Sequence, residues 1–319
     1  MTDSFAREIT YARVSLTDRC NLRCRYCMPQ DCMPQDCMPP PRDSLTDDEI
    51  LALIRGLADA GIRKIRFTGG EPTVRPGALE LFSRVCRTPG IDTWALTTNA
   101  QTLARDAVQL REAGITHVNI SLDTLDAEDY RALSGGDLAP ARAGLNAALS
   151  AGFERVKLNA VLIRGISETQ IPRLAALTQQ HPLDVRFIEL MPTGLCSEWA
   201  QAHFLPASAV LDALPELLPD IPEPHAPAIY YRLPDAPGRV GLITPMSCSF
   251  CESCNRIRIT ADGKLRACLH ADTETDLRPL LHDPHALQMC IQEAVRRKPS
   301  RHHLTEGQFI TRSMTQIGG

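Results

Sequence analysis

Six short, apolar or β-branched runs recur along the first 190 residues, and helix-length segments separate most of them. The runs occupy 12–16, 64–67, 93–97, 117–121, 156–162 and 185–190. Between them the spacing predicts helices over 46–60, 78–87, 103–113, 139–151 and 168–179. The first helix is the best marked. Thr46 and Glu49 form a T-x-x-E capping box, Ile50, Leu53, Ile54 and Leu57 recur on one face, and Gly61 suits the position just past the end. Strands joined by helical crossovers run parallel. Six strands fall short of a full eight-stranded barrel, so an open doubly wound sheet and a partial barrel both satisfy the pattern.

Beyond residue 190 the rhythm stops. Pro215, Pro219, Pro222, Pro224, Pro227, Pro234 and Pro237 crowd one stretch, which predicts an irregular connecting strap. After it, 239–243 reads as a strand, and 255–260 with 264–268 as a hairpin turning at Asp262-Gly263. A chain of 319 residues holds one large domain and an appendage, here expected to divide as 1–220 and 221–319.

Lys plus Arg number 34 against 38 Asp plus Glu, a net charge of -4, so no basic excess points to a nucleic-acid partner. No apolar run is long enough to span a membrane, and MTDSFAREIT lacks the apolar core of a signal peptide, so the expected address is cytoplasmic. In that reducing setting twelve cysteines are unusual.

Their clustering is informative. Cys20, Cys24 and Cys27 form C-x3-C-x2-C, while Cys251, Cys254 and Cys268 form C-x2-C-x13-C. The first group follows the first strand, at the edge of a parallel sheet where ligands bind. Three thiolates can hold three irons of a cubane and leave the fourth open to a ligand. A zinc-binding interaction module is the bland alternative, though no fourth ligand lies nearby: His117 is the closest histidine. The near-repeat MPQDCMPQDCMPP at 28–40 adds Cys32 and Cys37, read as a local duplication in a surface loop. Cys86, Cys196, Cys248 and Cys290 are read as structural or incidental.

The segment CNLRCRYC is similar to the signature of radical S-adenosylmethionine (SAM) enzymes, with Tyr26 as its aromatic, and TGGEP at 68–72 resembles their second hallmark. FCESCNRIRITADGKLRACL at 250–269 resembles the second-cluster segment of the GTP 3′,8-cyclase family. RVSLTDRCNLRCRYCMP, KIRFTGGEPTVR, LTTNA, VNISLDTLD, VKLNAVLIRG, RFIELMPTG and the terminal Gly318-Gly319 also resemble that family, in order.

The resemblance implies an α/β fold: a partial, incomplete TIM-type barrel of parallel strands with helices outside, plus a smaller C-terminal β-containing extension. It implies two [4Fe–4S] clusters, held by Cys20, Cys24 and Cys27 and by Cys251, Cys254 and Cys268. Tyr26, Gly70, Ser121 and Met191 match SAM-contacting positions. Arg13, Arg66, Thr97, Lys157, Arg256, Ile257 and Arg258 match GTP-contacting ones, and Arg256, Arg258, Gly318 and Gly319 are assigned to catalysis.

The implied reaction starts with an electron delivered to the first cluster. SAM is split, a hydrogen leaves C3′ of GTP, and C3′ joins C8 of the guanine, opening molybdenum cofactor biosynthesis. A small reducing protein as electron donor, the next enzyme of the molybdopterin pathway and a second copy of the chain are the partners that fit. Independently, Arg256-Ile257-Arg258 alternates so that both guanidinium groups share one strand face, as an anion-binding ledge requires. The nearest rival activity is a radical SAM enzyme that modifies a peptide or protein.

Overall fold

The computed structural model describes residues 1–28, 43–302, 304, 310 and 312–318. Cys32, Cys37, the repeat that contains them and Gly319 lie outside the described residues.

The six predicted strands all form, as β1 (Tyr11–Ser15), β2 (Lys64–Thr68), β3 (Thr93–Thr98), β4 (His117–Ser121), β5 (Arg155–Leu162) and β6 (Asp184–Glu189). They lie side by side in chain order, each parallel to the next. Helices α1 (Asp47–Asp59), α2 (Ala78–Val85), α3 (Leu103–Glu112), α4 (Ala127–Ser134), α5 (Leu138–Ser150), α6 (Ser167–Ala175) and α7 (Leu177–Gln180) fill the crossovers. Thr46 caps α1 and Glu49 returns the bond, completing the capping box. Gly61 follows with φ +98°, a backbone that favours glycine. Helix α4 was not among the predicted helices; Asp126 caps it by accepting from Glu128 N and Asp129 N.

The rest of the chain extends the sheet at both edges. Strand β7 (Leu218–Pro219) and strand β8 (Ala228–Arg232) lead into β9 (Arg239–Ile243), which pairs parallel with β6. The chain then crosses over to β10 (Arg256–Ile259), which pairs parallel with β1 at the opposite edge. Strands β11 (Lys264–Arg266) and β12 (Thr275–Asp276) follow antiparallel. Eight strands, β10, β1 to β6 and β9, thus run parallel in a sheet of order β12-β11-β10-β1-β2-β3-β4-β5-β6-β9-β8-β7. β9 and β10 do not pair, so the barrel is incomplete.

The proline-rich strap is more ordered than its composition predicts. Pro227 and Pro234 bracket β8 without entering it, and Pro219 sits in the terminal strand β7. An edge strand tolerates a missing N–H.

Strand alternation separates two environments. Ala12, Val14, Ile65, Phe67, Val118, Ile120, Leu158 and Ile257 face the helices in one continuous apolar core. Tyr11, Arg13, Arg66, Asn119, Lys157, Asn159 and Arg258 face a cavity on the sheet's other side. That second face is the site.

Candidate active site

Register places charges in rows. Arg13 on β1 is the Cα partner of Arg258 on β10 and of Arg66 on β2. Like charges directly opposite one another are destabilising, so a row of three arginines invites an anion. Arg66 and Arg258, together with Arg186 on β6, bond to hydroxyl, carbonyl and amide oxygens, none of them a carboxylate. Arg66 donates to the Tyr11 hydroxyl at 2.6 Å and Leu96 O at 3.0 Å. Arg186 donates to Asn159 Oδ1 at 2.6 Å, and Arg258 to the Gly318 carbonyl. Burial pushes Arg13 down to about 10, and pushes Arg186 and Arg258 down as well, with neighbouring cations adding to each shift. These guanidiniums are ready for a multivalent anion.

The cavity measures about 460 Å³, within the range of small-molecule sites. Cys20, Cys24 and Cys27 line its upper end, on the loop after β1. A turn closes Cys27 N onto Cys24 O at 2.9 Å. Burial raises all three thiols; Asp123 and Cys20 raise Cys24 further, and Cys24, Cys20 and Asp123 raise Cys27 further. The β2 turn packs against this loop: Gly70 N donates to Thr17 O and Glu71 N to Arg19 O, each at 2.8 Å. A Cβ on Gly70 would collide with the Arg19 carbonyl, so the close approach requires glycine here. Tyr26 donates to Asp123 Oδ2 at 2.8 Å. Ser121 at the end of β4 and Met191 after β6 complete this rim.

Cys251, Cys254 and Cys268 line the same cavity. Cys254 follows a 3-10 turn, Cys251–Ser253, whose first carbonyl accepts from Arg7 at 2.8 Å. Cys268 follows β11. Burial works against the Cys254 thiolate, but Arg256, Lys298, the Arg256 backbone N–H and Arg7 together hold the thiol below its usual range. The buried Lys298 ammonium donates to Arg256 O at 2.9 Å and Ala267 O at 2.5 Å.

The cavity's other wall is a charge network. Asp184 receives Arg239 at 2.9 Å and Lys157 at 3.2 Å, and Glu223 from the strap receives Arg155 at 2.7 Å. Lys157 also donates to the Tyr230 hydroxyl at 2.9 Å. Burial and Arg186 bring Lys157 down to about 7 against the pull of Asp184.

Among the described residues, no three or more His, Cys, Asp or Glu side chains are gathered as one metal ion needs. Two half-buried thiol triads on one cavity suit cubanes, whose separate irons each take one thiolate.

Two family profiles match in succession: the Radical SAM superfamily over residues 14–178 and Molybdenum Cofactor Synthesis C over 183–304. GTP 3′,8-cyclase of Pelotomaculum thermopropionicum is 48% identical, covering 100% of both chains. GTP 3′,8-cyclase of Alkaliphilus metalliredigens is 44% identical, again over 100% of both. The chain belongs to the GTP 3′,8-cyclase family. As a radical SAM protein it uses a [4Fe–4S] cluster and SAM.

Among solved structures, Streptococcus suis SuiB bound to S-adenosylmethionine superposes with a TM-score of 0.61. It is 16% identical over 86% of this chain and 65% of that one. SuiB bound to the precursor peptide SuiA gives 0.56 at 15% identity over 98% and 77%. At such identities the likeness concerns the fold.

Of the sequence-predicted residues, all six cluster cysteines line the cavity, as do Tyr26, Gly70, Ser121, Met191, Arg13, Arg66, Thr97, Lys157, Arg256 and Arg258. Gly318 reaches the cavity through Arg258. Ile257 does not: its side chain lies in the apolar core. Sequence reasoning missed Tyr11, Lys64, Asn119, Arg186, Tyr230 and Lys298, which share the cavity. The signal was available in the strands. Tyr11-x-Arg13-x-Ser15 and Lys64-x-Arg66-x-Thr68 carry polar groups at every second position, the mark of a face turned to a ligand.

Proposed function

We propose that this chain cyclises GTP to (8S)-3′,8-cyclo-7,8-dihydroguanosine 5′-triphosphate, the first step of molybdenum cofactor biosynthesis. The observation that carries the reading is one cavity bounded by both thiol triads and walled by buried guanidinium groups. Cys20, Cys24 and Cys27 would hold one [4Fe–4S] cluster, and Cys251, Cys254 and Cys268 a second. When bound, the first cluster and SAM supply the one-electron chemistry that starts hydrogen abstraction from the ribose.

The chain's own residues position and exclude. Tyr26, Gly70, Ser121 and Met191 would seat SAM at the upper rim. Arg13, Arg66, Thr97, Lys157 and the Arg256–Arg258 ledge would hold the nucleotide, with Arg186 and Lys64 beside them. Burial strengthens each charge contact. The barrel walls and the strap keep water from a reactive carbon centre. Residues 1–220 form the SAM half in this reading and 221–319 the second-cluster half with its Gly318-Gly319 tail. A small reducing protein would donate the electron, the next pathway enzyme would take the product, and the enzyme would work in the cytoplasm, as a homodimer. Among the described residues no helix is long and apolar enough to cross a membrane.

Anaerobic reconstitution tests the reading. Iron and sulfide should match two cubanes per chain, the Cys251→Ser variant should keep one, and reduced enzyme with SAM should consume GTP. A single cluster in the wild type, or SAM cleavage that depends on a peptide and leaves GTP intact, would overturn it.

A further inference from the structure

The C-terminal segment reaches the cavity along a defined route. Ile310 O accepts from Gly194 N at 3.1 Å, just after the β6 loop that carries Met191. Gly194 has φ +52°, and a Cβ there would lie 2.9 Å from Arg312 O. Ser313 then opens a short helical turn, Met314–Ile317, through a capping box with Gln316. Gly318 ends with its carbonyl on Arg258. Thr315 and Met314 line the cavity on the way.

One side chain ties this segment to the sheet. Arg312 Nη2 donates to Glu274 Oε2 at 2.6 Å, and Arg312 Nη1 lies 3.6 Å from Asp262 Oδ1. Glu274 is shared: its other oxygen accepts from Arg266 Nη1 at 2.6 Å. Arg266 is almost fully buried and also donates to Ala271 O at 2.5 Å. Lys264 lies 4.0 Å from the same carboxylate. Both acidic partners of Arg312 therefore belong to the β10–β12 meander, the element that carries Arg258 and, just after β11, Cys268.

We propose that Glu274 and Arg312 form a clasp that docks the C-terminal segment over the cavity, which makes Arg312 a positioning residue for Gly318 against Arg258. A four-residue turn is too short to hold itself, and Ile310 and Ile317 are the segment's buried apolar anchors. A buried charge-assisted hydrogen bond to Glu274, with Asp262 as a second ion-pair partner, adds direction to that anchoring. The segment also touches Gly194, so it spans the rim that carries Met191 and the hairpin that carries Cys268. The clasp sets that span. The catalytic consequence rests on the proposed cyclase activity, whereas the docking itself does not.

The test separates the two. Hydrogen–deuterium exchange of anaerobic, cluster-loaded enzyme should show residues 313–318 protected in the wild type. Arg312→Met should exchange there at least tenfold faster, with β1–β6 unchanged, while Arg312→Lys restores part of the protection. Arg312→Met leaves the Arg266–Glu274 pair whole, so the hairpin keeps its fold; Glu274→Gln gives a second reading from the other side. GTP turnover should fall at least tenfold in Arg312→Met, with iron content and reductive SAM cleavage retained. Unchanged exchange at 313–318 in both variants would overturn the clasp. Faster exchange with unaltered GTP turnover would overturn its catalytic role. If the wild type consumes no GTP, the cyclase reading falls while the exchange result still decides the clasp.

Discussion

Tyr26 and Asp123 are joined across the upper rim, the phenol donating to the carboxylate at 2.8 Å. Asp123 also accepts from Val161 N at 2.8 Å, so the aromatic between Cys24 and Cys27 is braced against two strands. Burial raises Asp123 to about 6 against these two hydrogen bonds. The pair turns a loop residue into a fixed wall beside the first triad.

Breaking that brace should loosen SAM more than it harms the fold. Hydrogen bonds to charged groups contribute about 1.5–3 kcal/mol, so Asp123→Ala should weaken SAM binding by roughly 10- to 100-fold. Equilibrium binding of SAM to the reconstituted protein measures it. Tyr26→Phe should behave alike, since it keeps the ring but loses the anchor. An unchanged SAM affinity in both variants would remove the brace from the account.

The cation row makes a pH prediction. Burial opposes ionisation of Tyr11, but Arg66, Arg13, Lys64 and Arg256 together bring it down to about 7, and Lys157 also stands at about 7. Above pH 7 Tyr11 gains a negative charge and Lys157 loses a positive one. Both changes weaken the hold on a triphosphate, and a bound triphosphate pulls both protons back. GTP affinity should therefore fall between pH 7 and 9, with proton uptake on binding visible by calorimetry in buffers of different ionisation heat. Tyr11→Phe should flatten the slope. For stability the sign is opposite: both groups bind fewer protons folded than unfolded above pH 7, so each favours folding as pH rises through that window.

Much of this was legible and some was not, for physical reasons. The parallel strands β1–β6 and helix α1 announce themselves through local patterns, namely period-two and helical spacing and a capping box. The pairing of β9 with β6 and of β10 with β1 is not local. It joins residues far apart in the chain, and nothing in the run 239–243 says which edge it will find. The strap misled because proline counts ignore position: Ala228–Arg232 contains none. The alternation of Arg256, Ile257 and Arg258 was legible in the strand period: the two arginines line the cavity and the Ile257 side chain joins the core behind them. Lys298 escaped because its role depends on two carbonyls from other elements.

Glu71 predicts a stability effect at the site. Its buried carboxylate accepts from Thr73 N, Thr73 Oγ1, Thr98 Oγ1 and Asn99 N at 2.7–3.2 Å. It thereby locks the glycine turn to the end of β3. Glu71→Ala strands several donors at once, each at about 1–3 kcal/mol, so a loss of about 3 kcal/mol or more is expected. Denaturant unfolding under anaerobic conditions reads it directly. Glu71→Gln, which keeps the acceptor oxygen, should lose less.

The tail gives the most local prediction. Gly318 has φ +73°, and a Cβ there would lie 2.5 Å from Thr68 Oγ1 and 3.2 Å from Ser15 Cβ. Ser15 Cβ moves only with β1, and Thr68 Oγ1 can give way only by turning its buried side chain at the end of β2. Alanine therefore meets a backbone penalty and a clash together, and the terminal turn should leave its seat rather than distort the sheet. Gly318→Ala should keep its iron, its melting temperature and its reductive SAM cleavage, yet lose GTP cyclisation by at least tenfold. Deleting Gly318 and Gly319 should match it. Because Arg258 would then lack its carbonyl partner, the paired variant Gly318→Ala with Arg258→Met should cost little more than Arg258→Met alone. Rates that multiply instead would mean the tail acts on some other group.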